Sequence, residues 1–303
     1  MSAVIKLENV TKNYGKAVGV RDINLTVNQG EAFGFIGPNG AGKTTTISML
    51  VDLIRPTSGA IKLFGLDSVR DSLKIRQRIG FLGSDSALDK GLTGWQQLEY
   101  FGALRGKFDK KYVKELAERL DCKLDRKFKT LSRGNKQKVS LISALMHQPE
   151  LLILDEPTSG LDPLMQAEFN KLILEFKKAG RTVFISSHVL SEVQETCDTV
   201  AFIRHGQLTE SMAIHDIMAA APKTVHITGA DKNLYDRLSK INGIEALRTH
   251  GTNISCSFNG DPNELIAALA VHRITTVTIQ EADLETIFMK YYKQAMPGET
   301  NNA

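Results

Sequence analysis

The sequence predicts an α/β fold built around a parallel sheet, followed by a smaller α+β domain. Three observations predict it. The runs Ala32-Phe33-Gly34-Phe35-Ile36, Leu151-Leu152-Ile153-Leu154 and Thr182-Val183-Phe184-Ile185-Ser186 are short and nearly continuously apolar, the pattern of strands covered on both faces. A glycine-rich loop, Gly37 to Thr45, leads from the first run into a segment where Ile47, Met49, Leu50 and Leu53 recur at helical spacing. After Ala221-Pro222 the pattern changes to a tighter alternation of strand and helix.

Taken in order, Val4 to Val27 alternates apolar and polar residues and reads as strands. Pro56-Thr57-Ser58-Gly59 is a turn. A helical region, about 90–148, precedes Leu151–Leu154, a strand that delivers Asp155-Glu156 at its carboxyl end. The next helix runs from about Pro163 to Ala179, with proline at the start where a missing N–H costs nothing. A short helix near Leu190–Thr196 and strands at Thr199–Arg204 and Gln207–Thr209 complete a first domain, assigned to 1–220. Beyond it, strands at 223–229, 244–250, 253–258 and 274–280 and helices at 231–240 and 261–271 give the order βαββαβ, with a further helix at 283–292. That order fits a ferredoxin-like domain over 221–295. The polar tail, 296–303, is expected to be disordered.

Composition narrows the function classes. The chain has 303 residues, 42% hydrophobic and 24% charged, ordinary for globular domains and unlike a disordered chain. The longest near-continuous apolar stretch, Val139 to Met146, is far short of the roughly 20 residues of a membrane span. Met1 to Lys6 lacks the basic and apolar regions of a secretory signal. Cys122, Cys197 and Cys256 form no CxxC pair, which argues against a disulfide framework or zinc site and for a reducing cytoplasm. The net charge is +4, but basic residues crowd 101–140, including Lys123, Arg126, Lys129, Arg133, Lys136 and Lys138. The simplest reading is the solvated face of a helical region; anionic lipid or an acidic partner is the alternative. Nucleic acid has no reader motif to support it.

The chemistry sits in three stretches. Gly37-Pro38-Asn39-Gly40-Ala41-Gly42-Lys43-Thr44 matches G-x-x-x-x-G-K-[ST], and Thr45 follows. The glycines let backbone N–H groups wrap a phosphate, and the following helix adds its positive end. Lys43 would reach the β- and γ-phosphates, and the Thr44 hydroxyl would bind magnesium. Asp155 would ligate that ion or accept from its water, and Glu156 would polarise an attacking water as general base. His188, after Ser186-Ser187, would touch the γ-phosphate or hold the water.

Together these residues resemble the nucleotide-binding subunit of an ATP-binding cassette transporter over about residues 3–220. The stretches that carry the resemblance are GPNGAGKTT (37–45), LSRGN (131–135), LLILDEP (151–157), SGLD (159–162) and SSH (186–188), in the family's order. The resemblance implies a P-loop NTPase cassette with an N-terminal β subdomain and a helical subdomain. It implies that Tyr14 stacks on adenine, that Ser132, Arg133, Gly134 and Asn135 contact the ATP held by the other protomer, and that Asp162 links the two sites. Arg133 and Asn135 depart from the family's LSGGQ. Ser84 stands about where the family places a magnesium-touching glutamine, so Ser84 or Asp85 is the expected substitute. Glu281 to Phe288, followed by Tyr291-Tyr292, is similar to the ending of cassette subunits from bacterial drug- and antibiotic-export systems.

The resemblance therefore implies an ATP-hydrolysing, magnesium-dependent subunit on the cytoplasmic face of the membrane. It would pair with a second copy or a paralogous cassette and drive a separate integral-membrane permease, with no nucleic acid expected as partner. Two readings compete. One is a soluble cassette ATPase acting on nucleic acid or the ribosome, motivated by the basic 101–140 region. The other is a regulatory module that holds ATP without turnover, motivated by the altered signature.

Overall fold

The structure, a computed structural model, describes residues 2–83, 89–106 and 108–281. The chain divides into two compact units, Met1–Ala213 and Ile214–Ala303.

The first unit opens with a long antiparallel hairpin, β1 (Ala3–Tyr14) and β2 (Ala17–Asn28), followed by β3 (Ala32–Ile36), α1 (Lys43–Leu50), β4 (Ser58–Leu63) and β5 (Leu66–Asp67). α2 (Ser72–Arg78) leads into β6 (Ile79–Leu82), and then come α3 (Gly94–Leu104), α4 (Lys110–Arg119) and α5 (Arg133–Leu145). β7 (Leu151–Asp155), α6 (Pro163–Lys178), β8 (Thr182–Ser187), α7 (Leu190–Thr196), β9 (Thr199–Arg204) and β10 (Gln207–Ala213) complete it. One sheet has the order β2-β1-β4-β5, and a larger sheet has the order β10-β9-β3-β8-β7-β6. From β9 to β6 every pairing in the larger sheet is parallel, and β10 is an antiparallel edge.

The continuous apolar runs form the central strands. Every residue of β3, β7 and β8 is buried, as parallel strands covered on both faces require. Phe33, Phe35 and Phe184 cluster at their centre, with Phe33 and Phe184 stacked at 5.7 Å. α1 packs on strands of both sheets, and Ile47, Met49 and Leu50 join Ile5, Leu7 and Ile23 in one core. The helix ends at Leu50, so Leu53, read from sequence as part of its apolar stripe, is 62% exposed.

The basic region of the sequence is not a uniform solvated face. Lys138 is buried and donates to the Asp121 carbonyl at 3.2 Å. Arg119 donates to Glu168 Oε1 at 2.7 Å and to both carboxylate oxygens of Glu175 at 2.7 and 2.9 Å, clamping α4 onto α6.

In the second unit α8 (Ile214–Ala220) precedes β11 (Lys223–Thr228), α9 (Lys232–Leu238), β12 (Ile244–His250), β13 (Asn253–Phe258), α10 (Pro262–Ala270) and β14 (Thr276–Gln280). The sheet order β12-β13-β11-β14, antiparallel throughout, is that of a ferredoxin-like βαββαβ unit. Leu234, Leu238, Leu265 and Leu269 cover one face of it, over Val225, Ile227, Ile254 and Phe258. The two units meet at Ala213/Ile214, seven residues before the boundary read from sequence. Ala221-Pro222 follows α8 directly, so this proline marks the end of a helix. The helix expected at 283–292 and the tail at 296–303 lie outside the described residues.

Hydrogen bonding to Arg119 holds the Glu168 and Glu175 carboxyls below the usual carboxylate range. Their contribution to stability is full above the unfolded value near pH ~4.3 and is lost as pH falls through the lowered folded values. Arg119→Ala is therefore expected to flatten the acid limb of the stability profile. Urea unfolding of the variant and wild type, followed by the fluorescence of Trp95 (the chain's one tryptophan) from about pH 6 to 3, checks it. An unchanged acid slope would show that the clamp adds nothing.

Candidate functional site

Strand register assembles the site. In the larger sheet Ile36 of β3 pairs with Ser187 of β8, and Ser186 of β8 pairs with Asp155 of β7. Three carboxyl ends thus stop within one residue of a common level, where chain order reverses around β3. That is the crevice where open α/β sheets bind ligands. The next residue on each strand is Gly37, His188 or Glu156, so the register delivers the glycine loop, a histidine and a carboxylate to one place.

The loop from Gly37 to Gly42 turns back on itself through two left-handed glycines, Gly40 at φ 78° and Gly42 at φ 113°. A Cβ on Gly42 would lie 2.6 Å from Val20 and 3.0 Å from the Gly19 carbonyl, so only glycine lets the loop pack on β2. Tyr14 ends β1, next to β2 in the hairpin. Its ring lies against Gly19, it is half exposed, and the Lys12 ammonium lies 5.4 Å from its centroid. A flat ring is thereby left open to solvent at the end of the hairpin.

Lys43 is 5% exposed and donates to the Gly37 carbonyl at 2.6 Å. Its ammonium lies 3.2 Å from Glu156 Oε1. Thr44 Oγ1 donates to Asp155 Oδ2 at 2.8 Å, while Ser186 Oγ donates to Asp155 Oδ1. His188 Nδ1 and Glu156 Oε2 are 2.6 Å apart. Lys43, Thr44, Asp155, Glu156 and His188 therefore form one connected cluster. Glu156 adopts φ 51°, a left-handed conformation that costs a non-glycine residue about 1–3 kcal/mol. Its N–H is held by the Ser186 carbonyl at 3.2 Å and its carbonyl by Gln137 Nε2 at 3.3 Å. The strand end is bent so that the carboxylate faces the loop.

Ser132 caps α5, its Oγ accepting from the Asn135 N–H at 3.2 Å. The Asn135 amide bridges the Lys123 N–H and carbonyl, each at 2.9 Å. Ser132, Arg133, Gly134 and Asn135 line a second cleft that also contains Asp162. Asp162 caps α6, accepting from the Met165 N–H at 3.0 Å. The two clefts are mechanically joined. Arg133 donates to Ser159 Oγ at 2.9 Å, Gln137 Nε2 donates to the Pro157 carbonyl at 2.9 Å, and a Cβ on Gly134 would lie 2.6 Å from the Gly160 carbonyl. Arg133 also lines the cleft of Glu156 and His188, together with Lys129 and Lys136, so part of the basic run faces the acids of the site.

Several participants escape a reading by motif. Gln137, two positions past the signature, braces the bend at Glu156. Ser186 was legible as a strand residue and as part of the SSH stretch, but not as the donor that holds Asp155. Glu192 on α7 accepts from Ser187 Oγ at 3.2 Å, beneath the turn that carries His188; burial pushes its carboxyl up. Burial also pushes the Cys122 and Cys197 thiols up to about 12, which leaves them unreactive near neutrality. Ser84 and Asp85 lie outside the described residues, as does all but Glu281 of the C-terminal ending.

A glycine loop, a strand-end Asp-Glu pair and a third strand ending in histidine, on a sheet of this order, define a P-loop nucleotide-hydrolase cassette. Comparison with known proteins agrees. The family model described as ABC transporter matches residues 20–159. The bacitracin transport ATP-binding protein BcrA of Bacillus licheniformis is 34% identical over 304 residues, which span 96% of this chain and 97% of that protein. The linearmycin resistance ATP-binding protein LnrL of Bacillus subtilis is 30% identical over 94% of this chain and 97% of its own. A solved ATP-binding subunit of an ABC transporter superposes with a TM-score of 0.65 at 27% identity, covering 71% of this chain and 91% of that one. The chain belongs to the ABC transporter family, as an ATP-binding subunit that hydrolyses ATP. These two relatives, matched along most of their length, are named for transport and resistance, so the nucleic-acid reading is not favoured.

Gly134→Ala tests the joint between the clefts. Alanine is the better helix former by up to about 1 kcal/mol, but its methyl would push α5 off the Gly160 carbonyl. The expected outcome is an unfolding midpoint close to wild type with at least a tenfold loss of ATP turnover. Full turnover in a folded variant would show that the close approach is incidental.

Proposed function

We propose that two copies of this chain, or one copy and a paralogous cassette, bind two ATP molecules head to tail and so power a separate membrane permease that exports a toxic compound. The observation that carries the reading is the single cluster of Lys43, Thr44, Asp155, Glu156 and His188 beside the glycine loop. Export is favoured by relatives named for bacitracin transport and linearmycin resistance. Among the described residues no helix is long and apolar enough to cross a membrane, which is why the permease is assigned to another chain. The subunit would sit peripherally on the cytoplasmic face.

In this reading the N–H groups of Gly37 to Thr45 and the N-terminus of α1 cradle the phosphates. The buried Lys43 ammonium neutralises β- and γ-phosphate charge, and Tyr14 stacks on the adenine. Thr44 Oγ1 and the Asp155 carboxylate are hard oxygen donors already 2.8 Å apart, a pair suited to Mg²⁺, which takes one or two protein ligands and completes its shell with phosphates and water. Bound there, Mg²⁺ would neutralise charge on the phosphate oxygens. Glu156 accepts the proton of the attacking water. His188, hydrogen-bonded to Glu156, holds that carboxylate in place and faces the γ-phosphate. Ser132, Arg133, Gly134 and Asn135, at the N-terminus of α5, cap the ATP held by the partner cassette. Asp162 joins the two sites.

Two substitutions separate binding from chemistry. Lys43→Ala is expected to abolish ATP binding. Glu156→Gln is expected to retain it while turnover falls by 10²–10⁴, the usual weight of a general base. Pull-down of the tagged chain from gently solubilised membranes, with Mg²⁺-dependent ATPase assayed on the eluate, should recover a multi-span membrane protein. Wild-type turnover by Glu156→Gln would remove Glu156 from the base role, and recovery of ribosomes in place of a membrane protein would overturn the transporter reading.

A further inference from the structure

The sheet of the second unit ends in two edges of opposite character. β12 carries Glu245, Arg248 and His250, and its pairing with β13 slips between Glu245 and Arg248, where Ala246 takes φ 51°. Charge and an irregular ladder are the usual devices that blunt an edge strand against further pairing. β14 has neither. Thr276-Val277-Thr278-Ile279-Gln280 holds no charge, no proline and no glycine, and it pairs with β11 in unbroken register from Thr224↔Gln280 to Thr228↔Thr276. All of its residues are exposed. Among the described residues no strand pairs with its other side.

The apolar side chains of β14 are oddly placed for a strand that ends in solvent. Val277 and Ile279 pair with Ile227 and Val225, and residues paired across a ladder share a face. Ile227 and Val225 are fully buried core, whereas Val277 and Ile279 are 40% and 46% exposed. The core of the unit thus runs out to a rim of two aliphatic side chains beside an open row of backbone N–H and C=O groups.

We propose that β14 pairs antiparallel with β14 of a second copy of this chain, Thr278 opposite Thr278, and so joins two ferredoxin-like sheets into one. The strand itself selects this occupant. Antiparallel pairing about a two-fold axis demands a self-complementary segment, and about Thr278 this strand is one. Val277 falls opposite the partner's Ile279, and Thr276 falls opposite the partner's Gln280. Four aliphatic side chains then close over the rim on the core face, and no like charges meet. The contact needs no nucleotide, so it goes beyond the ATP-driven closure proposed above and would keep two copies together when the cassettes part.

Residues directly opposite in an antiparallel ladder have Cα atoms about 4.5–5.5 Å apart, within disulfide range. The test is oxidation of the full-length Thr278→Cys chain with copper phenanthroline, without nucleotide. The native thiols give little background, since Cys197 and Cys256 are buried and Cys122 is half-buried. A disulfide-linked dimer is expected as the main product, at least tenfold above the yield of Thr249→Cys on the blunted edge β12. Adding Val277→Lys and Ile279→Lys, two exposed positions, places lysines opposite lysines and should remove the cross-link and shift the chain towards monomer in sedimentation. A yield from Thr278→Cys no higher than from Thr249→Cys, which would mean that the edge is covered within its own chain, overturns the proposal. So does a cross-link that survives the two lysines. Neither result touches the cassette reading, whose test is the separate ATPase loss in Glu156→Gln.

Discussion

The parallel register of β3, β8 and β7 is the constraint from which the candidate site follows. Ile36, Ser187 and Asp155 end their strands within one residue of a common level, so the glycine loop, His188 and Glu156 emerge side by side from positions far apart in sequence. A slip of one residue in any of these pairings would turn side chains to the opposite face. The register is secured by strands buried along their whole length and by Phe33, Phe35 and Phe184 packed between them. The apolar packing of the sheet and the polar geometry at its carboxyl ends are therefore one problem, solved once.

Electrostatics then hold the cluster together. Lys43 and Asp155 are charged groups taken almost wholly out of water, which is tolerable only when each is paired. Lys43 finds the Gly37 carbonyl and Glu156, and Asp155 finds Thr44 and Ser186. The left-handed backbone of Glu156 is a local strain that Ser186 and Gln137 over-determine. Gln137 belongs to the helix that Ser132 begins, so the bend that aims the carboxylate is braced by the signature helix. In the proposed function this gives a physical route between a site's own acid and the surface offered to the partner's ATP.

The second unit obeys a different balance. Its helices cover one face of a four-stranded antiparallel sheet, and its edges are treated unequally. A charged, slipped strand on one side and a plain β-branched strand on the other direct association to a single edge, which is a form of specificity that needs no pocket.

Much of this was legible in the sequence. The apolar runs, the glycine loop and the order βαββαβ fixed the elements, because burial on both faces, tight turns and period are local properties. Lys43, Thr44, Asp155 and Glu156 were named from their motifs, because a phosphate loop and a strand-end acid pair each carry their chemistry within a few residues, whereas His188 was named mostly through the family resemblance. Tertiary structure decided the rest. Strand order placed β8 between β3 and β7, and only that order brings His188 to Glu156. Arg119, Lys138 and Arg133 looked like one solvated run until packing gave each a different partner. Gln137 and Glu192 have no motif, since their roles depend on loops that approach them only in the folded chain. The end of the first unit moved from residue 220, read from the Ala221-Pro222 break, to Ala213, because proline reports where a helix must stop and not where a core ends. Local stereochemistry is written in neighbours along the chain, whereas charge pairing and edge exposure are set by neighbours in space.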